Sequence, residues 1–361
     1  MPDALTFLEI VAGILLLFGG GELFVAGAVA LSLLLGIPQI VIGLTVVAFG
    51  TSAPELFVSL LSTLQGSSGG DSIAVSNVLG SNIFNVMVVL GASAAITSLR
   101  VRSRLVRRDV PLLLAVSMAT WAMASSGRFT WVAGLALLTA LVITLVWEVR
   151  SAREDHEEGL DDIDAEGAST TPVALFKLAV GLALLVVGSQ VLIKGAIAAA
   201  QTLGVSEAVI GLTIVSAGTS MPELVTSLVA AYRGKADLAI GNVVGSNLLN
   251  QLLILGLCAL LSGQDGLLVS PELLRRDFPV MVLTTLACLP IFWSGGVINR
   301  LEGWLLLGAY GLYLIEQILS STAAPGIDEF RLFVLVAVLP LVLVFLTWTS
   351  LRWMQQREAA G

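Results

Sequence analysis

Two glutamates inside hydrophobic segments are the residues of this chain best suited to chemistry. Glu55 and Glu223 each close a Gly-Thr-Ser-x-Pro-Glu hexapeptide, and the stretches around them, 43–60 and 211–228, are identical at 12 of 18 aligned positions. A charged residue at the centre of a membrane helix costs about 2.5–3.5 kcal/mol on insertion scales. Neither stretch contains an Arg or Lys. We therefore expect bound cations or protons to neutralise these carboxylates.

The same hexapeptides supply further oxygen atoms. Pro54 lacks the N–H that a helix interior needs, so we predict a broken helix in which the carbonyls near Ala48 and Phe49 lose intrahelical partners. Inside a bilayer, such carbonyls are tolerated where they line a cavity or bind a ligand. The hydroxyls of the two hexapeptides belong to Thr51, Ser52, Thr219 and Ser220.

A second repeated motif, Gly-Ser-Asn-x-x-Asn, occupies 80–85 and 245–250. Its Ser and its last Asn are four residues apart, which places them on one face of a helix. Those residues are Ser81 and Asn85 in the first copy, and Ser246 and Asn250 in the second. Carboxylate, hydroxyl, amide and carbonyl oxygens together suit Ca²⁺ or Na⁺ and do not suit Zn²⁺ or Cu⁺.

Some of these polar residues also allow a structural interpretation. Ser81 or Ser246 alone could simply hydrogen-bond between helices, as serines in membrane helices do. Two glutamates in duplicated, proline-broken helices fit that interpretation poorly. Glu22 and Lys194 lie in equivalent helices and could pair with each other or reach lipid headgroups. We favour a structural or gating role for them over ion binding.

Composition indicates an all-α polytopic membrane protein. Of 361 residues, 57% are hydrophobic and 12% are charged, against about 25% charged in soluble domains. The first apolar run has no positive residues before it, so we expect a retained helix and no cleaved signal. Cys258, Cys288 and His156 cannot form a disulfide framework or a His/Cys metal cluster. We expect no catalytic residue, no cofactor and, at a net charge of −8, no nucleic-acid partner.

The apolar segments form an internal repeat. We predict eleven spans, of which the first five correspond to the next five at an offset of 168 residues that becomes 165 from Asn77 onward. An odd number of spans per copy inverts the second copy, and inverted repeats with broken helices are typical of secondary transporters. The predicted parts are a first five-helix repeat, 1–148, with its motif region 43–92; an acidic linker, 149–172; a second repeat, 173–320, with its motif region 211–257; and an extra C-terminal membrane helix with a tail, 321–361.

Basic residues predict the orientation. With the N-terminus outside, twelve Arg or Lys side chains fall in inner loops and the tail, and four fall outside. This favours a cell-membrane protein with a cytoplasmic C-terminus. The linker carries eight acids between Glu154 and Glu166 and is most simply a polar cytoplasmic connection. A regulatory cation-binding role for it is left open.

With these motifs the chain, over about 5–320, resembles the calcium/cation antiporter superfamily, and within it the prokaryotic sodium/calcium exchangers. The resemblance implies ten core helices in two inverted halves and a central cluster of sites for which Ca²⁺ and Na⁺ compete. It implies a central Ca²⁺ site formed by Glu55, Glu223, Thr51 and Thr219. It implies flanking Na⁺ sites formed by Ser52, Ser220, Ser81, Ser246 and the carbonyls of Ala48 and Ser216, with Asn85 and Asn250 lining the middle.

The resemblance also bears on the coupling ion. Some relatives have an aspartate at the position of Asn250, and in potassium-dependent exchangers that acid is linked to K⁺ use, so Asn250 indicates K⁺ independence. The proton-coupled branch typically has a Gly-Asn-Ala type motif where this chain keeps Gly-Thr-Ser. We therefore hypothesise electrogenic Na⁺/Ca²⁺ antiport by alternating access, with the long first and sixth spans as gate.

Three other functions stay open at this point. A Ca²⁺/H⁺ antiporter would replace Na⁺ with protonation of the two carboxylates. A passive cation channel would conduct without a counter-ion. An intramembrane protease would use two acids, but no Gly-x-Gly-Asp motif occurs in the sequence. The oligomeric state is also left open.

Overall fold

The computed structural model of the chain describes residues 4–65, 70–102, 105–154, 170–204, 210, 214, 216–293, 296–322, 324, 326–342, 344 and 347. The side chains of 70–72, 149, 151–154 and 216 are not described. Most of the predicted acidic linker (155–169) therefore lies outside the described residues. So do 211–213 of the second motif region and most of the predicted eleventh span beyond 342.

Nearly all described residues are helical, as expected for a chain whose backbone polar groups must be satisfied within lipid. The α-helices are α1 (Ala4–Leu35), α2 (Gln39–Ile42), α3 (Ala48–Thr51), α4 (Ala53–Leu64), α5 (Gly70–Phe84), α6 (Gly91–Ile96), α7 (Val110–Ala124), α8 (Trp131–Glu154), α9 (Thr171–Thr202), α10 (Ser216–Gly218), α11 (Met221–Tyr232), α12 (Ala236–Leu249), α13 (Leu255–Leu261), α14 (Phe278–Trp293), α15 (Arg300–Ser321) and α16 (Ile327–Phe333). π-Helical turns cover Gly43–Val47, Asn85–Leu90, Leu105–Asp109, Asn250–Ile254, Leu273–Asp277 and Val334–Val338.

The helices form a multi-pass membrane protein. Six described helical segments are long and apolar enough to cross a bilayer, and a seventh is added if the bent pair Gln39–Thr51 and Ala53–Leu64 counts as one span. Large apolar side chains such as Phe7, Phe57 and Trp304 are more than half exposed. This outward apolar surface fits lipid as the surrounding solvent.

Helices α1 and α9 pack along their length through glycines. Gly13, Gly20 and Gly27 recur every seven residues on α1, and a Cβ added to Gly13 would lie 2.6 Å from the Leu192 backbone nitrogen. A Cβ added to Gly27 would lie 2.8 Å from the Leu178 backbone nitrogen, so the two helices run antiparallel. Small residues of this kind let membrane helices approach closely.

Four two-residue strands depart from the all-α prediction. They are β1 (Leu99–Arg100), β2 (Arg128–Phe129), β3 (Leu267–Leu268) and β4 (Val297–Ile298). Strand β1 pairs antiparallel with β4, and β2 pairs antiparallel with β3. Such short pairs lie in the loops between helices, where hydropathy carries no signal for them.

Glu22 and Lys194 do not pair with each other, contrary to one of the two predicted arrangements. Lys194 forms an ion pair with Glu9 at 2.6 Å, so it joins α9 to α1. Glu22 forms an ion pair with Arg233, which follows α11. The two ion pairs therefore connect α1 to α9 and α1 to the end of α11.

Candidate cation-binding site

The helix that carries Glu55 is broken at Ser52. Helix α3 ends at Thr51 and α4 begins at Ala53. The helical segment Gln39–Thr51 and α4 are bent by 46° relative to each other. Ser52 has ψ of 5°, and Ser220 at the equivalent break has ψ of 10°. The prolines that follow occupy the first turn of the new helix, where a missing N–H is tolerated. The break thus places each glutamate in the first turn of a resumed helix.

One detail of the predicted break is wrong. The carbonyl of Ala48 keeps an intrahelical partner, because the backbone N–H of Ser52 donates to it at 3.0 Å. Pro54 removes the donor that would serve the carbonyl four residues earlier, which belongs to Gly50. Ala48 is fully buried, and its carbonyl has a second lone pair for a further contact. Ser216, the residue equivalent to Ala48 in the second repeat, is the first residue of the short helix α10.

The two glutamates are joined across the repeats by serine hydroxyls. Both carboxylates are 0% exposed. Ser220 Oγ donates to Glu55 Oε1 at 2.8 Å, and Ser52 Oγ donates to Glu223 Oε1 at 2.9 Å. Each repeat therefore supplies a hydrogen bond to the glutamate of the other. These reciprocal bonds make the two hexapeptides one site.

The other oxygen of each carboxylate, Oε2, is buried without a hydrogen-bond partner among the described residues. Five neutral oxygens of the predicted residues share this state. They are Thr219 Oγ1, Ser81 Oγ, Ser246 Oγ, Asn85 Oδ1 and Asn250 Oδ1. An unpaired buried polar group costs about 1–3 kcal/mol. A cluster of such oxygens is therefore the arrangement expected where a cation supplies the missing interaction.

The two threonines differ from each other. Thr51 Oγ1 lies 3.1 Å from the Val47 carbonyl oxygen and 3.0 Å from Asn242 Oδ1, so its hydroxyl is already engaged. Thr219 Oγ1 has no such contact within the described part of the chain. Among the described residues, these two threonines therefore differ in hydrogen bonding although they are equivalent in the sequence repeat.

The second motif reaches the site through close helix packing. Helix α12 packs against residues 39–51, and a Cβ on Gly245 would lie 2.5 Å from the Leu44 carbonyl oxygen and 2.8 Å from Ala48 Cβ. Asn85 and Asn250 each begin a π-helical turn, a feature that often marks functional positions. Only a glycine fits at 245, so the helices carrying Ser246 and Ala48 touch.

Two asparagines that the sequence left without a role support the glutamates. Asn77 Nδ2 donates to the Glu55 carbonyl oxygen at 3.3 Å and to Ser59 Oγ at 3.0 Å. In the second repeat, Asn242 makes the same two contacts at 3.3 and 2.9 Å. In the sequence, the signal that could have identified Asn77 and Asn242 is their recurrence at an offset of 165 residues. They hold the backbone of each glutamate against the neighbouring helix.

A narrow crevice reaches the site at Ser52. Its other walls are apolar and come from Phe49, Leu56, Leu249, Leu253 and Ile254. Ser52 also donates to Glu223, so one hydrogen bond connects the wall of the crevice to a carboxylate of the site. It brings open space close to one edge of the site.

The donor set is one of hard oxygens. Within the described residues, no group of three or more His, Cys, Asp or Glu side chains could hold a metal ion. Cys258 and Cys288 are buried and form no disulfide within the described residues. Two carboxylates surrounded by hydroxyl and amide oxygens suit Ca²⁺ or Na⁺.

Comparisons with known proteins agree with this chemistry. The family model described as "Sodium/calcium exchanger protein" matches residues 5–150 and 173–319. The chain is 32% identical to the inner membrane protein YrbG of Escherichia coli, with 86% of this chain and 97% of that protein aligned. It is 31% identical to the sodium/calcium exchanger MaX1 of Methanosarcina acetivorans, with the same coverage of both chains.

A solved structure of the sodium-calcium exchanger NCX_Mj superposes with a TM-score of 0.73 at 29% identity, covering 86% of this chain and 98% of that one. The family match covers both halves of the chain and therefore most of its length. The predicted resemblance is confirmed. The chain belongs to the sodium/calcium exchanger family, and it is a membrane antiporter for cations, not an enzyme.

Proposed function

We propose that this protein exchanges Na⁺ for Ca²⁺ across the membrane and does not require K⁺. The observation that carries the proposal is the fully buried pair Glu55 and Glu223, each held by a serine of the other repeat. Each keeps one carboxylate oxygen that has no partner among the described residues. No Arg or Lys lies in either hexapeptide, so the compensating charge must come from the transported ions.

The oxygen atoms of the site fall into two groups, one that binds Ca²⁺ and one that binds Na⁺. Ca²⁺ is bound between the two carboxylates, with Thr51 and Thr219 beside it. Na⁺ ions are bound on the flanks by the hydroxyls of Ser52, Ser220, Ser81 and Ser246 and by the carbonyls of Ala48 and Ser216. Asn85 and Asn250 line the centre. The unpartnered oxygens of Ser81, Ser246, Asn85 and Asn250 support this division.

Exchange follows from the cost of an empty site. Two ionised carboxylates without cations repel each other and resist enclosure in a medium of low dielectric constant. The protein therefore changes between outward-open and inward-open states only when Ca²⁺ or several Na⁺ neutralise Glu55 and Glu223. This makes transport an obligatory exchange by alternating access. Because α1 and α9 pack backbone to backbone through glycines, they are suited to move as one gate.

We further propose ten core spans in two inverted five-helix repeats, 1–148 and 173–320, an acidic linker at 149–172, and an eleventh helix in 321–361. Two features support the inversion. The first helix of each repeat runs antiparallel to the other. Strand β1, after the third predicted span of the first repeat, pairs with β4, after the fourth predicted span of the second repeat. Strand β2, after the fourth span of the first repeat, pairs with β3, after the third span of the second. Such pairs share one membrane face only if the repeats are inverted.

The proposed location is the cell membrane, with the N-terminus outside and the C-terminus in the cytoplasm. The excess of basic residues in the loops then assigned to the inside supports this orientation. The ion pair between Arg102 and Asp237, at 2.5 Å, joins the segment after β1 to the first turn of α12. This arrangement places both on the same inner face. The bilayer and the transported ions are the partners this proposal requires.

Ca²⁺/H⁺ antiport is the second candidate. The two carboxylates could be neutralised by protons, and each has a buried oxygen free of other hydrogen bonds among the described residues. The hydroxyls of Ser52 and Ser220 next to the carboxylates favour Na⁺, because they add neutral oxygens that a proton does not need. A neutral Asn250 supports K⁺ independence.

The test is Ca²⁺ uptake into proteoliposomes with the Na⁺, K⁺ and pH gradients varied separately. We expect uptake driven by an outward Na⁺ gradient and unchanged by K⁺. Uptake driven by a pH gradient in the absence of Na⁺ would instead establish the proton-coupled candidate. Uptake without any counter-ion gradient would show a passive channel.

A further inference from the structure

Four buried asparagines form a reciprocal set of hydrogen bonds between the repeats. Asn82, Asn85, Asn247 and Asn250 are each at most 1% exposed. Asn82 Nδ2 donates to the Asn247 backbone carbonyl at 3.3 Å, and Asn247 Nδ2 donates to the Asn82 carbonyl at 3.2 Å. A backbone carbonyl can only accept. These two contacts therefore fix which side of each amide carries its nitrogen.

The orientation of the other two amides follows from this. With its nitrogen fixed, Asn82 presents Oδ1 to Asn250, so the Asn250 atom 3.0 Å away must be the donor Nδ2. By the same reasoning Asn85 must present Nδ2 to Asn247 Oδ1, at 3.1 Å. The oxygens of Asn85 and Asn250 are then left over, and both are buried with no partner among the described residues. Each is thus a bare acceptor.

We propose that Asn82 and Asn247 are positioning residues of the cation site. Each turns the amide of an asparagine in the opposite repeat so that its oxygen, and not its NH₂ group, is offered to the cation. The shape of an amide hardly distinguishes its two ends, so hydrogen bonds must select the orientation. An NH₂ group directed at a cation repels it, whereas an oxygen coordinates it. This inference rests on the proposed cation site and assigns residues that do not themselves contact the ion.

A carboxylate provides the decisive test, because both of its terminal atoms are oxygens and it needs no orienting partner. Asn250→Asp should remove the need for Asn82, and Asn85→Asp should remove the need for Asn247. In each case the rescuing substitution lies in the opposite repeat from the asparagine that it makes unnecessary. A role of Asn82 or Asn247 in packing alone predicts no such pairing.

The experiment measures equilibrium Ca²⁺ binding to the purified full chain in detergent without Na⁺. Asn82→Leu and Asn247→Leu are each made in the wild-type, Asn250→Asp and Asn85→Asp backgrounds. We expect Asn82→Leu to raise the Kd at least about tenfold, the order expected for one interaction with a charged group. Only in the Asn250→Asp background do we expect Asn82→Leu to raise the Kd for Ca²⁺ by less than about threefold. Asn247→Leu should be rescued only by Asn85→Asp.

Equal rescue by both acids, or rescue by neither, overturns the inference. Thermal unfolding without Ca²⁺ is recorded for every variant, since a structural role would lower the Tm in all three backgrounds alike. Where a Leu variant is not monodisperse, Asn82→Ala or Asn247→Ala takes its place, and a folding defect that no acid background corrects also overturns the inference. Wild-type protein that neither binds nor exchanges Ca²⁺ would refute the proposed function itself. Binding without the crossed pattern would refute only the orienting role.

Discussion

Gly245 is the position where one added methyl group should disturb the site most. A Cβ there would lie 2.5 Å from the Leu44 carbonyl oxygen and 2.7 Å from the Leu44 Cα, both backbone atoms. Real Cβ atoms essentially never lie closer than 3.0 Å to such an atom, and ordinary contact begins at 3.4 Å. The two helices must therefore separate by about 0.5 Å in Gly245→Ala, and by about 0.9 Å to reach an ordinary contact. The movement would carry Ser246 away from Ala48, across the middle of the proposed site.

We expect Gly245→Ala to lower both transport and stability. Overpacking costs about 1–3 kcal/mol, and the better helix propensity of Ala returns up to about 1 kcal/mol. A misplacement of about 1 Å can cost on the order of 10²-fold in a preorganised catalytic site, and we take a similar order here. We therefore expect Na⁺-driven Ca²⁺ uptake by Gly245→Ala to fall at least about tenfold.

Gly308→Ala is the matched control, because an added Cβ at Gly308 meets nothing within 4 Å. It makes the same chemical change in a helix and should leave uptake and Tm unchanged or slightly raise the Tm. Both variants are compared in proteoliposomes at equal protein content, with thermal unfolding in detergent. Equal uptake by Gly245→Ala and Gly308→Ala would refute the claim that close contact between these helices shapes the site.

Two other predictions concern the serine bridges and the last helix. Ser52→Ala and Ser220→Ala each remove a hydrogen bond to the glutamate of the opposite repeat, worth about 1.5–3 kcal/mol. The Na⁺ concentration for half-maximal uptake should therefore rise at least about tenfold in each variant, and the two increases should be similar in size. An effect of one serine without the other would contradict the reciprocal arrangement. Arg331→Ala removes the ion pair with Glu316, at 2.6 Å, and should lower the Tm by roughly 1–3 °C without changing uptake, since Arg331 lies beyond the family match. Lost uptake would show that the last helix takes part in transport.

The sequence was sufficient to predict that the two hexapeptides form a single site. Matching motifs in two repeats that the odd span count predicts to be inverted were expected to bring Glu55 and Glu223 together. Ionisable residues inside apolar helices are also too costly to keep unless they bind something. The bonds from Ser52 and Ser220 to the opposite glutamates agree with that prediction. The coupling ion is harder to predict, because hydroxyl and carboxylate oxygens serve several cations.

Other features depended on contacts that no single stretch of sequence encodes. The hydrogen bonds of Asn82 and Asn247 require the register between two helices that are 165 residues apart. The partners of Glu22 and Lys194 depend on how far each lies along its helix, so pairing by repeat equivalence was misleading. The Ala48 carbonyl keeps its hydrogen bond from Ser52. The donor that Pro54 lacks would serve the carbonyl of Gly50, one residue beyond the predicted Ala48 and Phe49.

The central claim is that Glu55 and Glu223 together hold the transported cations. Its most direct test is Na⁺-gradient-driven Ca²⁺ uptake into proteoliposomes by Glu55→Gln and Glu223→Gln, alongside the wild type. Glutamine keeps the shape of the side chain and removes the charge. We predict that each substitution alone abolishes uptake in correctly folded protein. Uptake near the wild-type level in both variants would contradict the claim.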